Sequence, residues 1–313
     1  MRYAGIDEAG YGPTLGPLAI GRAVVEGDAS TDLAKVFSGT GVRDSKELHN
    51  PKNLAPLESV ALPAIAWLTG FMPDTAADIF ALFGEGPSTR HGIPWMETAA
   101  SLTLPVAASQ LTPWHVPDLV PRGFSGALIQ PRAYNAYLRA RIGNKADLEW
   151  HSIGRLLGEV HDPAHPQQTV VDRLGGRKFY RDVLQAIVPD TLVLVSEETP
   201  TASRYLIPHS QHAGHEIGFY VGGEGISPLT AIASCVAKYA RELHMLLLNQ
   251  YWCARMTWLK PTAGYPEDAK RWLHQVGEGY VGAWMDDLVR QSVPSDSSLR
   301  PVVLEGVKES FRL

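Results

Sequence analysis

The sequence predicts an α/β protein: a mixed, five-stranded sheet flanked by helices, with a large helical and irregular insertion. Three observations carry this. Two short apolar stretches, residues 2–6 and 18–25, flank a glycine-rich loop, which suggests an antiparallel pair. Further strand-like stretches then alternate with helix-like ones, the order that lays helices against a sheet. The chain has 313 residues, 45% hydrophobic and 19% charged, enough for a sizeable core and unlike a disordered chain.

Taken in order, the first strand ends at Asp7-Glu8, and the loop to Pro17 carries Gly10, Gly12 and Gly16. The second strand, 18–25, is apolar with small residues, and after Arg43-Asp44-Ser45-Lys46 a helix is expected over about 50–60. Residues 61–122 are rich in Pro, Trp and Ala; they read as an insertion of short helices covering the core, too apolar for a linker. A third strand is expected at 125–130, then a helix opened by Pro131 and running to about Arg141, and a second helix over 145–160. Residues 169–172 read as a buried strand ending in an acid, 177–187 as a helix, and 191–195 as an interior strand. Residues 196–223 read as a loop or hairpin with His209, His212 and His215, whose spacing fits a polar loop better than a metal site. A long central helix follows over 228–250, and 266–291 is largely helical. The expected organisation is a single catalytic domain over 1–313, with 61–122 inserted in it and 265–313 as a C-terminal helical region.

Several classes are excluded. Two cysteines rule out a disulfide scaffold and a cysteine-only zinc site, and fit a reducing, cytoplasmic setting. No uninterrupted run of about 20 apolar residues predicts a membrane span. The first residues, with two acids and no apolar core, do not read as a signal peptide. A net charge of −5 argues against a protein that coats DNA electrostatically, but not against a nuclease whose acids hold metal. Neither G-x-S-x-G, H-E-x-x-H nor G-x-x-x-x-G-K-[ST] occurs, and the Gly10–Gly16 loop leads into a strand, not the helix a dinucleotide fingerprint requires.

The acids are the candidate chemistry. Asp7 and Glu8 end an apolar strand before glycines, where carboxylates can hold a hard divalent cation and a phosphate backbone can come close. Neighbours on a strand point to opposite faces, so the pair can share a site only if the strand breaks or twists at Glu8. Alone, the pair reads as readily as surface acids before a turn. Asp172 ends a strand too apolar for an unpaired charge, or else caps the turn before Gly175-Gly176. Glu224 precedes the long helix, where the dipole also favours an acid. Glu242 lies within that helix, where most glutamates are solvated, and Glu197 and Glu198 are rivals at another strand end.

Together the motifs resemble a family. Gly5-Ile-Asp-Glu-Ala-Gly-Tyr-Gly-Pro with Gly16-Pro-Leu18 resembles the opening of the type 2 ribonucleases H, ribonuclease HII and HIII. Asp44-Ser-Lys-Glu-Leu48 looks like the family's second motif. Asn144-Lys145 with His151, Val171-Asp172 with Tyr180, and Glu224 leading into Ala231–Ala240 are similar to ribonuclease HIII, and Lys260–Gly264 to the family's late loop. The chain is closest in motif pattern to HIII, without a counterpart of its N-terminal extension, and has Gly10-Tyr11-Gly12 where HII carries Gly-Arg-Gly.

The resemblance implies an RNase H-like fold and a metal-dependent endoribonuclease that hydrolyses the RNA strand of RNA/DNA hybrids, or a ribonucleotide-containing duplex, leaving 5′-phosphate and 3′-hydroxyl ends. It implies Asp7, Glu8, Asp172 and Glu224 as catalytic ligands of two Mg2+ or Mn2+ ions about 4 Å apart. Gly10, Tyr11, Gly12, Ser45, Lys46, Asn144, Lys145 and Tyr180 become substrate contacts, with Glu242 and Lys238 as accessory groups. A monomer is expected. A related nuclease of altered substrate and a non-cleaving nucleic-acid-binding relative remain as other readings.

Overall fold

The computed structural model describes residues 1–50, 52–140 and 144–291; the last 22 positions, including part of the expected C-terminal region, and Arg141 of the expected helix lie outside them. Seven strands form one mixed sheet: β1 (Arg2–Ala9), β2 (Leu18–Glu26), β3 (Val120–Ile129), β4 (Gln167–Asp172), β5 (Leu194–Glu198), β6 (Ala202–Ile207) and β7 (His215–Tyr220). Their order is β3-β2-β1-β4-β7-β6-β5. The central trio β1, β4 and β7 is parallel, and antiparallel pairs continue it on both sides. The α/β class with a mixed sheet is as expected; the strand count is corrected from five to seven.

The extra strands come from residues 196–223. The expected loop or hairpin contributes β6, β7 and most of β5 to the sheet. The apolar run at 191–195 lies not inside but at the edge, where Leu194 is 40% and Val195 47% exposed. A short β-branched run fits an edge as well as a centre, because composition reports strand formation and not the number of neighbours.

The N-terminal half supplies α1 (Leu33–Phe37), α2 (Ser45–Leu48), α3 (Ala55–Thr69), α4 (Ala76–Leu82), α5 (Pro87–Arg90) and α6 (Pro94–Glu97). The expected helix end at residue 60 is corrected: α3 runs on through Pro63 to Thr69. An interior proline costs about 3 kcal/mol or more. Full burial of Leu57, Leu62 and Ile65, at roughly 1.5–3 kcal/mol each, offsets it. Glu58 of α3, completely buried, accepts hydrogen bonds from the amides of Val106, Ala107 and Ala108 at 2.6–2.8 Å and from the Tyr239 hydroxyl at 2.8 Å. It ties the 104–108 loop to the central helix.

Next come α7 (Pro131–Arg139), α8 (Lys145–Val160) and α9 (Arg181–Ile187). They cover one face of the sheet, closing a core around Ile6, Ile20, Leu156, Val171 and Phe219. The long α10 (Pro228–Arg255) crosses the other face and meets Ala19, Ala23 and Val25 of β2. The close crossing depends on Gly5, where a Cβ would lie 2.1 Å from the amide nitrogen of Thr230. The described chain ends with α11 (Pro266–Val276), α12 (Glu278–Val281) and α13 (Met285–Leu288).

Candidate active site

Three parallel strands point their C-terminal ends the same way, and each delivers an acid. β1 ends beyond Asp7-Glu8, β4 ends at Asp172, and Glu224 follows β7 by four residues in a short 3-10 turn, Gly223–Gly225. Ligands bind outside the carboxyl ends of parallel strands for this topological reason. Among the described residues, Asp7, Glu8 and Asp172 form the group in which one ligand atom from each lies within 4.8 Å of the others. Glu224 stands outside that group but lines the same cleft, of about 180 Å³, with Ser45, Lys46, Lys238, Arg241, Glu242 and Tyr265.

Of the break or twist expected at Glu8, a break does not occur. β1 stays paired with β2 through Ala9, whereas its pairing with β4 stops at Ile6↔Val171. The edge of β1 facing β4 therefore carries no ladder from Asp7 onward, which gives both side chains room near Asp172. Local bonds hold them: Asp7 Oδ1 accepts from the Glu8 amide at 2.6 Å, and Asp172 Oδ1 accepts from the Gly223 amide at 2.6 Å. Glu224 accepts from the Ser45 hydroxyl at 2.9 Å, the Ser45 amide at 3.2 Å and the Ser234 hydroxyl.

The cluster is short of positive charge. Burial, then Glu8, Asp172 and Glu224, raise the Asp7 carboxyl well above its ordinary range. Burial, then Asp172, lifts Glu8 to about 7. Asp172 and Glu224 are also raised, chiefly by burial. One Glu8 oxygen is buried without a partner. Oxygen-only donors, held at raised pKa by one another and with an unpartnered oxygen, fit a hard divalent cation.

The cleft's cations stand on two elements. Lys46 lies at the start of α2; burial lowers its pKa, but Asp44, Glu224, Asp172 and Asp7 outweigh this and raise it. Lys238 of α10 is lowered by burial, partly countered by Glu224 and Glu242. Glu242 is opposed by burial yet lowered overall, through His49 at 3.4 Å and Arg241 at 3.5 Å. Gly10, at φ +91°, has no room for a side chain: a Cβ would meet Arg241 at 2.6 Å.

Five expected substrate contacts lie outside the cleft lining. Tyr180 is fully buried, stacked on Phe219 at 3.7 Å, its hydroxyl bonded to the Leu174 amide and the Arg177 carbonyl. It is corrected to a packing residue. Asn144 caps α8, accepting from the amides of Ala146 and Asp147. Lys145 donates to the Tyr11 carbonyl and lies 3.5 Å over the Tyr11 ring, outside the cleft lining. Tyr11 itself turns toward Gly175, where a Cβ would lie 3.1 Å from its hydroxyl. Gly12 is exposed, and Tyr265 is its neighbour.

Sequence reasoning missed Arg241, Tyr265 and Ser234, which line the cleft. Tyr265 directly follows the Lys260–Gly264 loop, and Arg241 and Ser234 recur at helical spacing with Lys238. It also missed Glu149 of α8, fully buried with neither oxygen partnered; burial, then Glu8, raises it to about 9.

Four acids thus gather at the C-terminal ends of the parallel strands of an α/β fold. A family model described as Ribonuclease HII matches residues 4–59. Ribonuclease HII of Pyrococcus abyssi is 54% identical over 48 residues, 15% of this chain and 20% of the relative. That of Pyrococcus furiosus is 45% identical over 56 residues, 17% and 23% respectively. The matched stretch thus spans about a fifth of the length of these curated relatives. The crystal structure of ribonuclease H2 from Pyrococcus horikoshii OT3 superposes with a TM-score of 0.51 at 18% identity, covering 92% of each chain, and shares the fold. The N-terminal stretch is thus similar to ribonuclease HII in sequence, and the whole described chain shares the fold of a ribonuclease H2. The matched stretch carries the name ribonuclease HII; Asn144-Lys145 and the Glu224-led helix, which give the HIII-like pattern, lie beyond it.

Proposed function

We propose that this chain is a ribonuclease H: a divalent-metal-dependent endoribonuclease that hydrolyses the RNA strand of RNA/DNA hybrids by a two-metal mechanism, leaving 5′-phosphate and 3′-hydroxyl ends. The observation that carries the reading is the convergence of Asp7, Glu8 and Asp172 from two strands in one cleft, beside Glu224 and two lysines. Asp7, Glu8, Asp172 and Glu224 would hold Mg2+ or Mn2+. When bound, such ions supply a water activated at neutral pH and neutralise charge on the scissile phosphate.

The chain's own residues do the rest. Ser45 and Ser234 aim the Glu224 carboxylate into the cleft. Lys46 and Lys238, which both line the cleft, would take phosphate oxygens and orient the strand. Gly10 and Gly12 let a sugar–phosphate backbone approach, and the half-exposed Tyr265 ring offers it an apolar surface. No described helix is long and apolar enough to cross a membrane. A cytoplasmic setting fits the reading, since both cysteines are free thiols, and a monomer is part of the proposal.

Cleavage of an RNA/DNA hybrid, a duplex with one embedded ribonucleotide and plain duplex DNA, each with Mg2+ or Mn2+, tests it. Metal-dependent cutting of the RNA strand is expected, and Asp7→Asn should remove it. Cutting of plain DNA alone, or binding without cutting, would overturn the proposal.

A further inference from the structure

The histidines of the 209–215 segment, which the catalytic reading leaves unused, have company. A small pocket of about 40 Å³ is lined by His161, His165, His209, His212 and His215, with Asp162. Five of the chain's eleven histidines thus meet in one place. The pocket lies at the other end of the sheet from the acids: His215 opens β7 opposite Gln167, which opens β4.

The hydrogen bonds orient two of these rings. His215 Nε2 is 2.8 Å from Thr169 Oγ1, and its Nδ1 is 3.1 Å from Nδ1 of His161. One Nδ1 must carry the shared proton. With the proton on His161, His161 donates to His215, His215 donates to Thr169, and His161 Nε2 keeps a free lone pair. His165 Nδ1 is 2.8 Å from Asp162 Oδ2, so that nitrogen donates and its Nε2 is also free. Arg2, 3.2 Å from the same oxygen, fixes the carboxylate. Imidazoles anchored through Nδ1–H, with Nε2 open, have the arrangement of histidine metal ligands. Burial also lowers the pKa of His161 and, with His161 and Arg2, that of His215, favouring neutral rings.

We propose that His161 and His165, joined by His209, form a second metal site, for a borderline transition-metal cation of the Zn2+ class. Imidazole nitrogen suits Zn2+, whereas Mg2+ prefers the oxygen cluster at the far end of the sheet. The three rings do not yet meet at coordinating distance: among the described residues, Asp7, Glu8 and Asp172 are the group that brings three ligand atoms within 4.8 Å of one another. His209 Nδ1 now accepts from the Gln211 amide at 3.2 Å, so this ring must turn to join the metal. The chemistry is structural: the ion would clamp the turn before β4 to the loop before β7.

The test is calorimetric titration of the full-length protein with Zn2+ under saturating Mg2+, with the Co2+ absorption spectrum as a second readout. One Zn2+ per chain is expected, with a Co2+ spectrum showing nitrogen ligation. His161→Gln and His165→Gln should each abolish binding, Asp162→Asn should weaken it about tenfold or more, and Asp7→Asn should leave it unchanged. His165 is exposed, so its variant keeps the test valid if His161→Gln fails to fold. Absence of Zn2+ binding by the wild-type chain, or binding that survives His165→Gln, overturns the proposal.

Discussion

Asp7 is 4% exposed, and the charges acting on it are Glu8, Asp172 and Glu224. Its neutral analogue should therefore relieve repulsion. Asp7→Asn is expected to abolish cleavage while the thermal midpoint in metal-free buffer holds or rises; a clear fall would assign Asp7 a structural role. The same crowding sets a pH dependence. All four carboxyls titrate higher in the folded chain than when unfolded, so between about pH 4 and the value near 7 of Glu8 the folded state holds protons that the unfolded state has released. Stability of the metal-free protein must then fall as pH rises through that window. Urea midpoints at pH 5 and pH 8 would measure it, and a higher midpoint at pH 8 would contradict it. Tyr180 gives the opposite case. Because its hydroxyl bonds the Leu174 amide and the Arg177 carbonyl, away from the cleft, Tyr180→Phe should cost about 1 kcal/mol of stability and leave the cleavage rate unchanged.

At the scale of elements, α3 and the 104–108 loop are coupled through one carboxylate. Glu58→Ala leaves three amides and the Tyr239 hydroxyl without their acceptor inside the core. A loss of about 3–5 kcal/mol is expected, read as a lower urea midpoint, with Glu58→Gln intermediate. Glu58 was not legible in the sequence, because its amide partners are 48–50 residues away, Tyr239 is 181 away, and backbone amides leave no signature. What could be read were elements with a local signal: α7 from Pro131, and α10 from its alanines and leucines, whereas the cap at Asn144 was seen only in the structure. Asp7, Glu8 and Asp172 were legible because each closes an apolar strand. Tyr180 misled, since a motif tyrosine gives no sign of which way its ring faces. Residues 196–223 read only as a loop or hairpin because glycines, prolines and histidines there resemble a loop, and the pairing of β7 with β4 that joins them to the sheet is set by tertiary context.

For the whole molecule, the sheet joins two chemically different ends. Metal at the acid end should offset the repulsion described above. Mg2+ at about 100 times its dissociation constant would add about 2.7 kcal/mol to the folded state. The thermal midpoint should therefore rise by several degrees at pH 8 and by less at pH 5, where protons compete for the same oxygens; scanning fluorimetry with and without chelator would record both. An equal rise at the two pH values would place the bound ion away from these carboxylates.

The parallel trio at the centre of the sheet has a consequence during synthesis. β1 is finished within the first ten residues, yet its neighbour β4 begins at Gln167 and Glu224 comes later still. Contacts spanning such lengths close late in folding. On the proposed activity, a nascent chain could not gather its four carboxylates, and so could not hold metal against a hybrid, until most of it had left the ribosome. Truncated translation products lacking β4 or Glu224 would therefore be inert fragments and not unregulated hydrolases.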